Sequence, residues 1–321
     1  MPLLDVRNLT MHYVTKMGDV HAVDDVSFMI EAGEAIGLVG ESGCGKTSIA
    51  LTLLRLLPDN ARFLGGQVLF EGKDLTHIPE EEMRKIRWRG ISMIFQAAMN
   101  SLNPVYRVGD QIIEAIQNHL PISYREAKRR VSELFELVGL PPEVIDRYPH
   151  EYSGGMKQRA VIAMALACDP KLVIADEPTT ALDVIVQDHI LRRIDEVRKK
   201  LNMAMMYISH DIAVIAEVSQ RLGVMYAGCL VEFGDTVTIF KRPAHPYTVA
   251  LMSAFPSIKG EKRKLQGLPG EPPDLLQPPL GCRFHPRCAY ATAICAQRAP
   301  RYEEIEPGHL VACWNPRSGR A

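Results

Sequence analysis

Gly40-Glu41-Ser42-Gly43-Cys44-Gly45-Lys46-Thr47 fills the pattern GxxxxGK[ST] at every constrained position. A run of this kind binds phosphate. Its glycines let main-chain N–H groups turn inward around phosphate oxygens, and a helix starting at the lysine adds the positive end of its dipole. Lys46 is placed to reach the β- and γ-phosphates and Thr47 to ligate Mg²⁺, with Ser48 in the same first turn. Cys44, inside the loop and beside that helix start, is expected to have a lowered thiol pKa. A second run, Leu172-Val173-Ile174-Ala175-Asp176-Glu177, is apolar and ends in two acids. Carboxylates at the tip of a buried strand face a cation or a site, because burying them bare is costly. Asp176 is expected to hold Mg²⁺ through water and Glu177 to polarise an attacking water. Together the two runs imply hydrolysis of a nucleoside triphosphate, ATP or GTP.

The surrounding elements have the order such a site needs. Short β-branched runs alternate with longer amphipathic stretches, the rhythm of an α/β domain with a mainly parallel sheet. Ala35–Val39, Ile91–Phe95, Leu172–Ala175 and Met205–Ile208 read as strands, and a helix is expected from near Lys46. Gln111–Leu120 and Arg125–Val138 carry apolar residues at three- and four-residue spacing, which predicts a helical insertion. Residues 256–286 contain seven prolines, dense enough to exclude regular helix or a central strand.

Composition narrows the class. The 321 residues are 47% hydrophobic and 23% charged, as in a globular protein, and the net charge of −1 gives no sign of a general nucleic-acid binder. Residues 241–321 carry 12 Lys and Arg against 6 Asp and Glu, a basic tail open to solvent, a partner or lipid headgroups. The longest apolar run, Ala160 to Cys168, is about half of what a membrane span requires. Met1-Pro2-Leu3-Leu4-Asp5 has neither the basic nor the apolar region of a signal peptide, so a cytoplasmic location is expected, where disulfides are disfavoured. Four of the seven cysteines crowd the end as Cys282-x5-Cys288-x6-Cys295-x17-Cys313. Ligand chemistry leaves three readings open for them: an iron–sulfur cluster, zinc, or no ligand. The tight cysteine knuckles common in structural zinc sites are absent, and the spacing is not a common ferredoxin pattern either.

Ser153-Gly154-Gly155-Met156-Lys157-Gln158-Arg159 lies 23 residues before Asp176 and resembles the LSGGQ signature of ABC transporter ATPases, with Ser153 as helix N-cap. It departs from that signature in Tyr152 for Leu and Met156 for Gln. The remaining family elements follow in order over residues 1 to about 240. Tyr13 matches the aromatic that stacks on adenine, and Gln96 the glutamine that contacts Mg²⁺ and the attacking water. Asp183, in Thr180-Ala181-Leu182-Asp183, matches the D-loop, and His210 the switch histidine. The resemblance implies a cassette over 1–240, with a mainly parallel sheet core, antiparallel β-structure and a helical subdomain at about 97–160. It also implies head-to-tail dimers in which Ser153 and Gly155 close over the γ-phosphate bound by the opposite subunit.

The tail resembles the C-terminal extension of dipeptide/oligopeptide-importer ATPases, through His245-Pro246-Tyr247-Thr248, Leu268-Pro269-Gly270-Glu271-Pro272-Pro273 and Ala312-Cys313-Trp314. The proline density itself reads as an extended, Pro-rich linker over 241–280, with a cysteine module over 281–321 after it. The resemblance implies a [4Fe–4S] cluster on Cys282, Cys288, Cys295 and Cys313, with zinc as the alternative. The SGGM variant is similar to one of two non-identical ATPases in such importers, which favours a heterodimer over a homodimer. Two transmembrane permease subunits, and indirectly an extracytoplasmic solute-binding protein, complete the implied assembly at the cytoplasmic face of the membrane. The competing reading is a soluble ABC ATPase acting on nucleic acid or the ribosome. Those proteins carry paired cassettes or long coiled-coil insertions, and neither is present. A catalytically dead cassette is opposed by the presence of Lys46, Asp176, Glu177 and His210.

Overall fold

A computed structural model describes residues 1–96, 101–179, 184–253, 268 and 270–317. The chain divides into two compact units. Met1–Met29, Ile36–Thr76 and Ser209–Ala321 form one, and Ile30–Ala35 with His77–Ile208 form the other.

The first unit opens with β1 (Leu4–Thr15) and β2 (Gly18–Ile30), continues through β3 (Ala35–Val39) into helix α1 (Lys46–Leu53), and then forms β4 (Ala61–Phe70) and β5 (Lys73–Asp74). Strands β2, β1, β4 and β5 lie in that order in one sheet, with β1 antiparallel to β4 from Leu4↔Phe70 to Tyr13↔Ala61. Leu4, Val6, Leu9 and Met11 of β1 are buried, while intervening residues such as Arg7 and Asn8 are exposed. One face of this sheet therefore meets a core and the other meets water. Strand β3 is buried along its whole length, as expected for a central strand covered on both faces.

The second unit contains α2 (Glu80–Ile86), β6 (Ile91–Ile94), α3 (Val108–His119), α4 (Tyr124–Leu137), α5 (Gly154–Ala165), β7 (Leu172–Asp176), α6 (Val184–Leu201) and β8 (Ala204–Ser209). Strands β6, β7 and β8 are parallel neighbours, with Ile91↔Leu172 and Leu172↔Ala204 in register. Helices α3 and α4 are the expected helical insertion. Ile112, Ile113 and Ile116 of one and Ala127, Val131, Leu134 and Phe135 of the other are buried, the larger of them worth about 1.5–3 kcal/mol each. Ser123 starts α4 with a reciprocal cap: its Oγ accepts from the Glu126 N–H, and the Glu126 carboxylate accepts from the Ser123 N–H.

The chain then returns to the first unit through α7 (Ile212–Val218), β9 (Arg221–Tyr226), β10 (Cys229–Asp235), α8 (Thr236–Lys241), α9 (Pro246–Ser253), α10 (Ala293–Gln297), β11 (Glu303–Glu306) and β12 (His309–Val311). Strands β11, β12, β10, β9 and β3 are neighbours in that order, and the β3–β9 pair is parallel. The segment 241–280 is not extended throughout, because α9 occupies eight of its residues. A proline suits the first position of a helix, where its missing N–H has no partner to lose. Behind α9 the fully buried carboxylate of Glu232 accepts from the N–H groups of Ala244 and His245 and pairs with His309 Nε2 at 2.7 Å. Among the described residues no helix is long and apolar enough to cross a membrane.

Candidate functional site

The phosphate loop runs from the end of β3 to the start of α1. Two of its glycines are required by geometry. Gly40 has φ +152°, and a Cβ there would lie 2.1 Å from the Met225 carbonyl oxygen. Gly45 has φ +102°, and a Cβ there would lie 2.0 Å from the Ala22 carbonyl oxygen. Only glycine fits both the conformation and the space. Lys46 is 7% exposed, and its ammonium donates to the carbonyls of Gly40 (2.8 Å) and Glu41 (3.0 Å). Ser42, Gly43 and Thr47 are exposed, so the loop's outer rim faces solvent. The Tyr13 hydroxyl lies 3.2 Å from Ser48 Oγ, which brings the expected adenine-stacking residue to the first turn of α1. His210 directly follows β8 and is exposed; Asp211 beyond it caps α7 by accepting from the Val214 N–H.

Cys44 departs from expectation. Its side chain is 4% exposed, and burial pushes the thiol up despite the Lys46 ammonium 3.5 Å away. The helix start and the lysine do not offset the loss of water around a thiolate.

In the second unit, β7 delivers Asp176 at 1% exposure, and Glu177 follows with φ +47°. A left-handed conformation costs a residue with a side chain about 1–2 kcal/mol, and such strain gathers at functional sites. Here it turns the chain so that the Glu177 N–H donates to the Ile208 carbonyl at 2.9 Å while its carboxylate accepts from Gln96 Nε2 at 3.2 Å. Gln96 and Glu177, far apart in sequence, are thus brought together. Ser153 caps α5 by accepting from the Met156 N–H, and Gly155 sits where a Cβ would come within 3.2 Å of Val186. Tyr152, the departure from the usual leucine, is buried, and its hydroxyl donates to the Val144 carbonyl at 2.6 Å. Asp183 lies outside the described residues.

Sequence reasoning missed several contributors. Gln158, 4% exposed, donates to the Pro178 carbonyl and ties the signature helix to the turn after Glu177. Arg283 bonds to Asp24 and to the Ala227 carbonyl, clasping the tail onto β2 and the β9–β10 turn. Tyr247 was visible only as part of a family motif. Its hydroxyl accepts from the Glu41 N–H in the phosphate loop at 3.1 Å. Arg287 carried no sequence signal at all.

The four tail cysteines line one pocket with Phe284 and Trp314. Burial pushes up the thiols of Cys282, Cys288 and Cys313, the last to about 11, and neighbouring cysteines add to each shift. The Asn315 N–H donates to Cys313 Sγ at 3.4 Å, and the Thr292 hydroxyl lies 3.4 Å from Cys295 Sγ.

Two family models match the chain: ABC transporter over residues 23–180, and the C-terminal region of oligopeptide/dipeptide transporters over residues 231–295. A probable peptide ABC transporter ATP-binding protein of Sinorhizobium fredii, y4tR, is 48% identical over 316 residues, covering 97% of this chain and 94% of its own length. The oligopeptide transport ATP-binding protein OppD of Escherichia coli is 45% identical, covering 98% of this chain and 93% of its own. The dipeptide transport ATP-binding protein DppD of Caldanaerobacter subterraneus is 42% identical, covering 99% and 98%. Among solved structures, the dimeric ABC transporter cassette MJ0796 superposes with a TM-score of 0.65 at 24% identity, over 73% of this chain and 98% of that one. That likeness shows the fold, a mixed α/β ABC cassette with a parallel core sheet and an antiparallel subdomain. Relatives matched along nearly their whole length settle the rest: this chain is an ABC transporter ATPase and belongs to the family of ATP-binding subunits of oligopeptide and dipeptide ABC transporters.

Proposed function

We propose that this chain powers peptide uptake from the cytoplasmic face of a membrane, paired head-to-tail with a second, non-identical ATPase and docked on two permease subunits. An extracytoplasmic binding protein delivers the solute and does not meet this chain. The observation that carries the peptide reading is the match of residues 231–295 to the oligopeptide/dipeptide C-terminal region, joined to the phosphate loop in one compact unit. In this reading ATP stacks on Tyr13, and its phosphates lie against the N–H groups of Gly40–Ser48 and the ammonium of Lys46. Thr47, Gln96 and Asp176 would hold Mg²⁺, which would supply charge neutralisation at the phosphates. Glu177, oriented by Gln96, accepts a proton from the attacking water, and His210 supports the γ-phosphate. Ser153, Gly155 and Asp183 act across the dimer. Positioning and electrostatics supply most of the acceleration, as in phosphoryl transfer generally.

For the tail we propose one [4Fe–4S] cluster on Cys282, Cys288, Cys295 and Cys313. The donor set fits: among the described residues the pocket is lined by four thiols, with His245 and His285, and by no carboxylate or lysine. When bound, the cluster supplies cross-links between four points of a short chain segment. The cysteines would ligate it as thiolates, their protons released to solvent, and the Asn315 N–H would offer a hydrogen bond to the Cys313 sulfur. Its role is to fold and dock the tail.

Reconstitution of the full assembly in vesicles tests the function. ATP-dependent accumulation of labelled di- to pentapeptides is expected, with ATP hydrolysis stimulated by peptide-loaded binding protein. Stimulation by nickel chelates or short sugars, and not by any peptide, overturns the peptide reading while leaving the ATPase in place. Stoichiometric zinc without iron in anaerobically purified protein overturns the cluster.

A further inference from the structure

The phosphate loop is held from outside by residues that no nucleotide-site motif includes. Glu41, its second residue, is fixed at three points. Its carboxylate accepts two hydrogen bonds from the Arg287 guanidinium, at 2.8 and 3.1 Å. Its N–H donates to the Tyr247 hydroxyl at 3.1 Å, and its carbonyl accepts from the Lys46 ammonium at 3.0 Å. Two of those three partners come from the chain beyond residue 240. Arg287 is the residue before Cys288, and its side chain is only 7% exposed. It is itself braced: NH1 also donates to the Tyr226 hydroxyl at 3.2 Å, and the guanidinium lies over that ring at 5.7 Å. Tyr226, Tyr247 and Phe284 pack against one another with ring centroids 4.6–5.4 Å apart, and Phe284 is 3% exposed. A two-pronged arginine–carboxylate bond fixes direction as well as distance, which a lysine cannot do.

We propose that Arg287 is a positioning residue for the phosphate loop, clamping Glu41 so that the folded state of the cysteine module sets the affinity for ATP. Binding phosphate requires the loop's N–H groups to converge, and a loop that spends only part of its time in that form binds more weakly in the same proportion. The clamp also neutralises a carboxylate that otherwise stands in the loop that receives the triphosphate. Without Arg287, Glu41 is both loose and unpaired, and an unpaired, half-buried charge is more costly than either the pair or no charge.

The inference rests on the reading of Gly40–Thr47 as the ATP site, and the experiment separates the two. A fluorescent ATP analogue is titrated into the isolated full chain carrying Lys46→Ala, Arg287→Met, Arg287→Lys, or Glu41→Gln with Arg287→Met. Turnover of the assembled transporter at saturating ATP, and iron or zinc content, are measured in parallel. Loss of measurable binding is expected for Lys46→Ala; unchanged binding there overturns the site itself. Arg287→Met is expected to raise Kd by about 5–20-fold, within the usual range of coupling between sites, and to leave kcat within about twofold. Arg287→Lys should fall between that variant and the parent. Adding Glu41→Gln to Arg287→Met should recover the part of the lost affinity that comes from the unpaired carboxylate and leave the part that comes from the unheld loop. A module that had merely come undone gives no such recovery, and neither does a general loss of stability. A Kd within twofold of the parent for Arg287→Met, a weakening not relieved by Glu41→Gln, or a fall in kcat alone overturns the clamp.

Discussion

The phosphate loop and the cysteine pocket each gather groups suited to one charged guest, and they are built by opposite means. In the loop, eight consecutive residues do the work, and their shape follows from local backbone: two glycines where no Cβ fits, a strand before them and a helix after. In the pocket, four cysteines separated by 5, 6 and 17 residues converge only because the tail packs on β2, β9 and β10. The segment joining them has a single α-helix of five residues, a 3₁₀ turn and two short strands, too little for a core of its own. The loop takes most of its form from its own backbone and needs few clasps from outside, Arg287 on Glu41 chief among them, whereas a site assembled from distant segments depends on every clasp that holds it.

Substitutions can break that comparison, and the largest effect is expected at the strained acid. Glu177→Gln should keep ATP binding and lower turnover by roughly 10²–10⁴-fold, measured as phosphate release by the assembled transporter. Near-normal turnover would show that the left-handed turn at Glu177 has another purpose. Ser153→Arg should suppress assembled turnover by about tenfold or more, while the isolated chain keeps its ATP affinity. A loss of affinity in the isolated chain would place the signature in its own subunit's site. Cys288→Ser strikes the borrowed site. Iron per chain should fall from about four to below one, and Kd for ATP should rise by about the factor found for Arg287→Met. If iron is lost while affinity is unchanged, the loop is as self-sufficient as its sequence suggests. The smallest effect concerns Cys44. At pH 8, native-state alkylation should be at least about tenfold slower than in urea-unfolded protein, and slower still with bound MgATP, because burial keeps this thiol protonated. Rapid labelling of the native loop would mean that the loop opens far more often than its glycine geometry implies.

The same contrast decides what could be read from the sequence. Strands β3, β7 and β8 lie within a few residues of where apolar runs put them, α3 and α4 where the 3.6-residue period does, and α1 and α5 where the phosphate-loop and signature motifs do. So does the Ser153 cap, since each of these depends on neighbours in the chain. Helix α9 was hidden by the prolines around it, although its own proline stands at the position helices tolerate. The Gln96–Glu177 contact joins residues 81 apart, and no spacing rule announces it. The thiol of Cys44 was misjudged because a helix start is visible in sequence and burial is not. Arg287 stands in a short His-Pro-Arg-Cys run with no periodicity, and its partner lies 246 residues upstream.

Strand β11 has a consequence for solubility. Its residues Glu303, Glu304 and Glu306 are exposed and form the outermost strand beyond β12 and β10. An open strand invites pairing with another molecule, and a row of like charges makes such pairing unfavourable. Beneath it, Leu230, Val231 and Phe233 of β10 are buried. Strand β11 therefore acts as a charged hem on the sheet, and a chain cut short before residue 303 presents the apolar strand edge of β10 to aggregation.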